Sequence, residues 1–350
     1  MRSPSEASAL AQATRLLGGW LDAPEIRAEP RVRAEHHVLQ PDLVIEHGKL
    51  RMVVEYKASG DAAAVGHAIE QAKRYATALG KSTLPIVATS FMGPVGQRLC
   101  DEADVSWFDI SGNAHIVGPG LRIIVEGKPN RFARRGRPST AFAPKSARIA
   151  RTLLIDADGE VRQKELARLA ALDDGFTSRI VRRLEQDGLI TRTDGLVRVP
   201  NPDLLLDAWE EVYDFEKHGI VRGHVTARSG EDLLSRFAST LEGARIPYAA
   251  TGLTGAWLLT GFAAFRLVTI FVKELPPDEV LGTLGFREES KGANTWLVVP
   301  NDEGVFHGAS KAKRINCVHP IQAYLDLGGH PERAKEAAAE IRARLLRWKA

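Results

Sequence analysis

The sequence predicts an α/β protein of several domains, on three observations. At 350 residues the chain exceeds what one ordinary hydrophobic core organises. Helix and strand periodicities alternate over residues 1–127 and again over 205–350. Between them lies a basic, proline-bearing stretch without packing periodicity, followed by two helical segments and a short β-ribbon. The expected organisation is a mixed α/β domain over 1–127, a basic linker over 128–145, a winged helix-turn-helix over 146–204 and an α+β domain over 205–350.

Hydrophobic and charged fractions of 44% and 26% belong to a folded globular chain and exclude wholesale disorder. A net charge of +3 is too small to argue for a polyanionic partner, so the distribution of charge matters more. Cys100 and Cys317 are too far apart in sequence for a disulfide framework or a metal motif. A reducing cytoplasm is the simplest setting. The first residues lack the apolar core of a signal peptide. Residues 246–265 carry no charge, but Pro247, Gly252, Gly255 and Gly261 favour a short buried helix and a strand over a membrane span.

Taken in order, SEASALAQATRLLGGWL reads as a helix with a serine cap. PDLVIEHGKLRMVVEYK follows as a hairpin turned at His47-Gly48, where glycine supplies the positive φ of a tight turn. DAAAVGHAIEQAKRYATALG sets Val65, Ala68, Ile69, Ala72, Ala76 and Leu79 at helical spacing and stops at Gly80. LPIVATSF reads as a buried strand, GPVGQRLCDEA as a helix and NAHIVGPGLRIIVEG as a closing hairpin. In VSWFDISGNAHI, Asp109, Gly112 and Asn113 are turn formers, with Asn113 facing a phosphate as the alternative. Residues 128–151 hold eight lysines and arginines, three prolines and no acid. QKELARLAAL and FTSRIVRRLEQDG then form two helices about a turn at Asp173-Asp174-Gly175, and two short strands turn at Asp194-Gly195. In the third region a helix over EDLLSRF leads through a small-residue turn into a second helix and the buried strand FRLVTIFVKE. PERAKEAAAEIRARLLRWKA is a strong helix former with proline at its start.

The first hairpin carries the most chemistry. Side chains alternate faces along a strand, so Glu55 and Lys57 point to one side. A turn at residues 47 and 48 pairs Asp42 with Val53, which puts Asp42, Glu55 and Lys57 on one face with the carboxylates as diagonal neighbours. Two carboxylates and a backbone carbonyl make a hard oxygen site suited to Mg²⁺. Such an ion polarises a phosphodiester and acidifies an attacking water, which a nearby lysine can hold. Pro41-Asp42 followed by Glu55-Tyr56-Lys57 resembles the PD-(D/E)xK nuclease superfamily, and the resemblance extends over residues 1–127. It implies a restriction-endonuclease-like mixed sheet, metal binding by Asp42 and Glu55, and assistance to the water by Lys57. Gln71 and Tyr75 match a Gln-x-x-x-Tyr motif of one branch, which implies that Gln71 joins the catalytic group and Tyr75 the DNA-binding one. Some members add a carboxylate from the first helix, here Glu6.

A recognition helix enters the major groove with its first turns near base edges. In FTSRIVRRLEQDG, Thr177, Ser178, Arg179, Arg182 and Arg183 are the polar candidates, while Ile180, Val181 and Leu184 face a core. Arginine reads guanine in bidentate fashion, and serine or threonine holds phosphate. The wing brings Arg192 and Arg198 to the backbone or minor groove, and Arg134, Arg135 and Arg137 of the linker add to the basic footprint. The segment resembles winged-helix regulators of the MarR-like kind. A winged helix used for protein contact, with solvated arginines, is the bland alternative.

The third region is faintly similar to minimal nucleotidyltransferases, although FRLVTIFVKE lacks the aspartates that such enzymes use to hold two metals. YAATGLTGAWLL and HPIQAYLDLGGHPERAKEAAAEIRARLL, downstream of the winged helix, resemble antitoxins of the type IV AbiEi family. This implies repression of an operon and antagonism of a nucleotidyltransferase-like toxin. The apolar runs here read as core or as a homodimer surface. Two functions follow from the sequence: a double-stranded-DNA-binding, Mg²⁺-dependent endonuclease, or a repressor and antitoxin whose nuclease-like domain is inert.

Overall fold

The computed structural model describes residues 5–22, 24–34, 37–80, 82–132, 141–262, 264–289 and 291–348, the side chains of 32–37 excepted. The chain divides into two compact units, 1–138 and 139–350.

The first unit opens with α1 (Glu6–Trp20), capped by the Ser5 hydroxyl, which accepts the Ser8 N–H. There follow β1 (Glu25–Ala28), β2 (Val32–Ala34), β3 (His37–Leu39), β4 (Leu43–His47), β5 (Leu50–Lys57), α2 (Ala62–Leu79), β6 (Thr83–Thr89), α3 (Pro94–Glu102), β7 (Ser106–Asp109), β8 (Ala114–Gly118) and β9 (Leu121–Val125). β2 and β3 pair separately, and the other seven strands make one mixed sheet in the order β1-β4-β5-β6-β7-β8-β9. β5, β6 and β7 run parallel because α2 and α3 serve as their crossovers; the outer pairs are antiparallel. Period-2 alternation sends Leu43, Ile45, Met52, Val54, Tyr56, Ile86 and Phe108 into one core with Ala9, Ala13 and Leu17 of α1. The other face packs Val87 and Trp107 against Val65, Ala68 and Ala72 of α2, and Val44 and Val53 against Ala76.

The first hairpin turns one residue later than expected. His47 pairs with Leu50, so Gly48 and Lys49 form the turn, with Gly48 at φ 60°. Val53 therefore faces Val44 rather than Asp42, and counting one step beyond the Leu43–Val54 pair brings Asp42 level with Glu55. β7 sits in the segment that reads as a turn. All four of its residues are buried, so no polar alternation marks it as a strand.

The second unit begins with α4 (Ala147–Ile155), β10 (Val161–Arg162), α5 (Gln163–Leu169), α6 (Asp174–Gln186), β11 (Thr191–Thr193) and β12 (Leu196–Arg198). Its three strands form a small antiparallel sheet in the order β10-β12-β11. Asp174 and Gly175 lie in the first turn of α6 rather than before it, because the Asp173 side chain caps the helix by accepting the Phe176 N–H. The wing turns at Asp194 (φ 51°) and Gly195 (φ 77°), a pair suited to left-handed turn conformations.

Beyond it come α7 (Pro202–Glu210), β13 (Gly219–His224), α8 (Gly230–Gly243), β14 (Tyr248–Thr251), α9 (Gly252–Thr260), β15 (Val268–Val272), α10 (Asp278–Leu284), β16 (Arg287–Glu288), β17 (Thr295–Val299), β18 (Ser310–Ala312), β19 (Ile315–Cys317), α11 (Pro320–Leu327) and α12 (Ala334–Leu345). The strands form a second mixed sheet, β16-β13-β17-β15-β14-β19-β18. β14 occupies part of what reads as a small-residue turn, and α12 starts three residues after Pro331. Among the described residues no helix is long and apolar enough to cross a membrane. Cys100 and Cys317 are buried free thiols.

Candidate DNA interface and carboxylate site

In the first unit the end of the β4–β5 hairpin gathers the expected residues. The Tyr56 backbone N–H donates to Asp42 Oδ2 at 2.6 Å, which fixes the carboxylate against β5. Lys57 Nζ lies 2.7 Å from Glu55 Oε1, with Glu55 buried and Lys57 about one-third exposed. Burial pushes the carboxyls of Asp42 and Glu55 above their ordinary values; the Tyr56 N–H opposes this at Asp42 and Lys57 opposes it at Glu55. The Glu6 charge raises both carboxyls further, as Asp42 does Glu55 and Glu29 does Asp42. Gln71 hydrogen-bonds Tyr75, and burial followed by the Glu55 charge raises the Tyr75 phenol.

This donor set fits a divalent cation in part. Lys57 and the Tyr56 N–H each engage one carboxylate oxygen, which leaves Asp42 Oδ1 and Glu55 Oε2. Among the described residues no group of three or more His, Cys, Asp or Glu side chains is gathered as a metal cluster. Thr89, level with Lys57 on β6, keeps a buried hydroxyl without a hydrogen-bond partner among the described residues. The sequence does not reveal Thr89, which lies outside the motif, or the part played by Tyr56, whose backbone N–H acts from the motif's unspecified middle position. Asn113 faces no open surface: its amide donates to Asp109 Oδ2 at 2.9 Å and its carbonyl oxygen accepts the Lys128 N–H at 2.8 Å. It closes a structural turn.

In the second unit α6 presents Arg179, Arg182 and Arg183 at the surface, with Ser178 partly covered and Arg192 and Arg198 exposed on the wing. Arg183 pairs with Asp187 and Arg192 with Glu185, each at 2.9 Å. Arg179 lies over the Phe176 ring, 5.5 Å from its centroid, and Lys145 sits at 5.4 Å. Arg179, Arg182 and Arg198 have no ion-pair partner among the described residues. Thr177 is a correction: it is fully buried, because Thr177, Val181 and Leu184 at i, i+4 and i+7 form the core stripe of α6. Its hydroxyl has no hydrogen-bond partner among the described residues. Arg134, Arg135 and Arg137 lie outside the described residues.

The sequence gives no hint of how α4 is held. Arg148 binds Asp302 through two hydrogen bonds of 2.7 and 2.8 Å. Arg151, one turn on, is buried; its guanidinium lies 4.9 Å from the Trp209 ring and donates to Gln322 Oε1. Gln322 Nε2 donates to Asp326 Oδ1 at 2.7 Å, and Asp326 also accepts from the hydroxyls of Tyr213 and Thr251. His218 Nδ1 accepts the Asn301 N–H, which leaves Nε2–H to donate to Tyr213 at 2.9 Å. The Trp348 indole donates to the Leu154 carbonyl at the end of α4. Burial pulls Arg151 down to about 10 and pushes Asp326 up to about 7.

Comparison with known proteins divides this unit in the same order. Residues 153–195 match the MarR family model, and residues 198–347 match the model described as "Transcriptional regulator, AbiEi antitoxin, Type IV TA system". The second unit is similar to a MarR-type winged helix followed by an AbiEi-type antitoxin domain. No curated protein matches the chain.

Two outcomes follow for the MarR-type and AbiEi-type parts. Thr177→Val replaces an unsatisfied buried hydroxyl by a methyl group, so we expect it to stabilise the winged helix by about 1 kcal/mol in urea denaturation. DNA affinity should not change in the same protein. The second outcome concerns pH. Burial depresses His218, His319 and His330 from 6.5 to about 4, so the folded chain leaves them neutral where the unfolded chain protonates them. The stability they contribute is present above 6.5 and lost as pH falls towards 4. Asp326 works the other way: its folded value is raised, so its contribution is complete below 3.8 and lost as pH rises through about 7. In the second unit the three histidines outweigh Asp326, and the unfolding transition of that unit in the intact chain should move to lower temperature between pH 7 and about 5. His330→Gln should shrink that drop.

Proposed function

We propose that this chain is a double-stranded-DNA-binding transcriptional regulator of the AbiEi antitoxin type. The observation that carries the reading is the division of α6: Thr177, Val181 and Leu184 fill the core while Arg179 and Arg182 are exposed without an ion-pair partner among the described residues. The first turns of α6 would enter the major groove, with these arginines on guanine edges or phosphates and Ser178 on the backbone. Arg198 on the wing would reach the flanking phosphates. Operator binding by a homodimer, and antagonism of a nucleotidyltransferase-like toxin through the degenerate, nucleotidyltransferase-like C-terminal part, complete the proposal and imply a cytoplasmic location. A β15 core strand without aspartate, VTIFV, accords with a non-catalytic role for that part. In a gel-shift titration of the upstream intergenic duplex, Arg182→Ala should weaken binding about tenfold and reduce the salt dependence by about one released counterion. Unchanged affinity would return the winged helix to protein contact.

A second reading concerns the first unit, where Asp42, Glu55 and Lys57 meet at a strand end that resembles PD-(D/E)xK nucleases. Asp42 and Glu55 would hold Mg²⁺, which when bound supplies Lewis-acid charge to a phosphodiester. Lys57, anchored on Glu55, would orient the attacking water and pass its proton to solvent. Gln71 would place the strand, and Tyr75 would rest against the DNA backbone. With Mg²⁺ present, wild-type protein should nick a supercoiled plasmid, whereas Lys57→Ala should lose at least a hundredfold in rate. Equal and metal-independent nicking by both proteins would leave the regulator reading alone.

A further inference from the structure

The β18–β19 hairpin of the second unit pairs Ala312 with Ile315, so Lys313 and Arg314 form its two-residue turn. Both have positive φ, 49° and 70°. Among the described residues they are the only consecutive non-glycine residues so placed. A turn of this hand is ordinarily made by Asn-Gly or Asp-Gly, because a Cβ crowds the backbone in the left-handed region. The chain itself uses Asp194-Gly195 for the same turn in its wing. Here two long cations stand where small residues would be relaxed, and strain of this kind persists where a side chain is needed for something other than the fold.

Local charge is not fully neutralised. Glu242 pairs with Lys311 at 3.3 Å. Lys313 is held with its Nζ 3.4 Å from the Trp257 ring centroid, and Arg314 is exposed without an ion-pair partner among the described residues. Just before β18, Gly308 packs so closely on α4 that an added Cβ would lie 2.9 Å from Ile155 Cδ1. The base of the hairpin thus rests on α4, while its tip lies over Trp257 of α9. We propose that the Lys313-Arg314 tip is a second contact for the phosphate backbone of duplex DNA, supplied by the AbiEi-type part in addition to the wing of the MarR-type part. This rests on the reading that the chain grips duplex DNA.

Arg314→Gly relaxes the turn and removes one cation, so it separates strain from grip. Binding to a fluorescein-labelled duplex of about 40 base pairs bearing the upstream intergenic sequence would be followed by anisotropy from ~50 to ~200 mM KCl. For Arg314→Gly we expect a melting temperature about 2–4 °C higher, affinity about three- to tenfold weaker and a salt slope smaller by about one. Lys313→Gln should weaken affinity and slope similarly without the thermal gain. A stabilised Arg314→Gly protein with wild-type affinity and slope would overturn the proposal, as would a destabilised one. Arg182→Ala in the same assay distinguishes the failures. If wild type binds and depends on Arg182 but ignores Arg314, only the second wing falls; if wild type does not bind, the regulator reading falls with it.

Discussion

Arg151 carries a positive charge into the interior of the second unit, and much of that interior is arranged around it. A guanidinium without solvent needs hydrogen bonds and compensating charge. Trp209 covers one face, Gln322 accepts from it, and the Asp326 carboxyl stands one residue further along the chain of bonds. Tyr213, Thr251 and His218 then satisfy what Asp326 and Gln322 leave open. These groups come from α4, α7, β14, α11 and the turn after α7, so one buried cation ties the first helix of the winged helix to the α/β part. Apolar packing would tolerate sliding at such a junction, whereas a hydrogen-bonded network has one arrangement.

The first unit rests on a different constraint, the two-residue period of a strand. Because direct neighbours share a face, the moment Val44 pairs with Val53 the level of Asp42 is set against Glu55. The one-residue shift of the turn moved the carboxylates from a diagonal to an opposed relation and left them on the same face. The Tyr56 N–H then holds Asp42 in place from the backbone, which does not depend on which side chain stands at that position.

Much of this was legible. Alternation, helical spacing and glycine positions located α1, α2, α3, α6 and the wing, and the motif residues Asp42, Glu55, Lys57, Gln71 and Tyr75 come together at one end of one sheet. Two kinds of feature were not. β7 is buried on both faces and so carries no alternating signal. Thr177 looks polar in sequence, yet helix phase places it inside, and only the positions of Val181 and Leu184 four and seven residues on reveal that. The α4 anchorage was beyond reach for a plainer reason: Arg151 and Gln322 are 171 residues apart, and nothing local connects them.

That separation bears on the order in which the molecule is made. α4 has its end carbonyl at Leu154 satisfied by Trp348, 194 residues later, and its charge at Arg151 satisfied by α11. Contacts so distant along the chain form late, after the ribosome has released the segments involved. During synthesis α4 can pack first on α5, α6 and α7, and its polar anchorage waits for Gln322 and Trp348. Its full anchorage comes only once both of those residues have been made, so copies cut short before them would be poor rivals for whatever the longer chain holds.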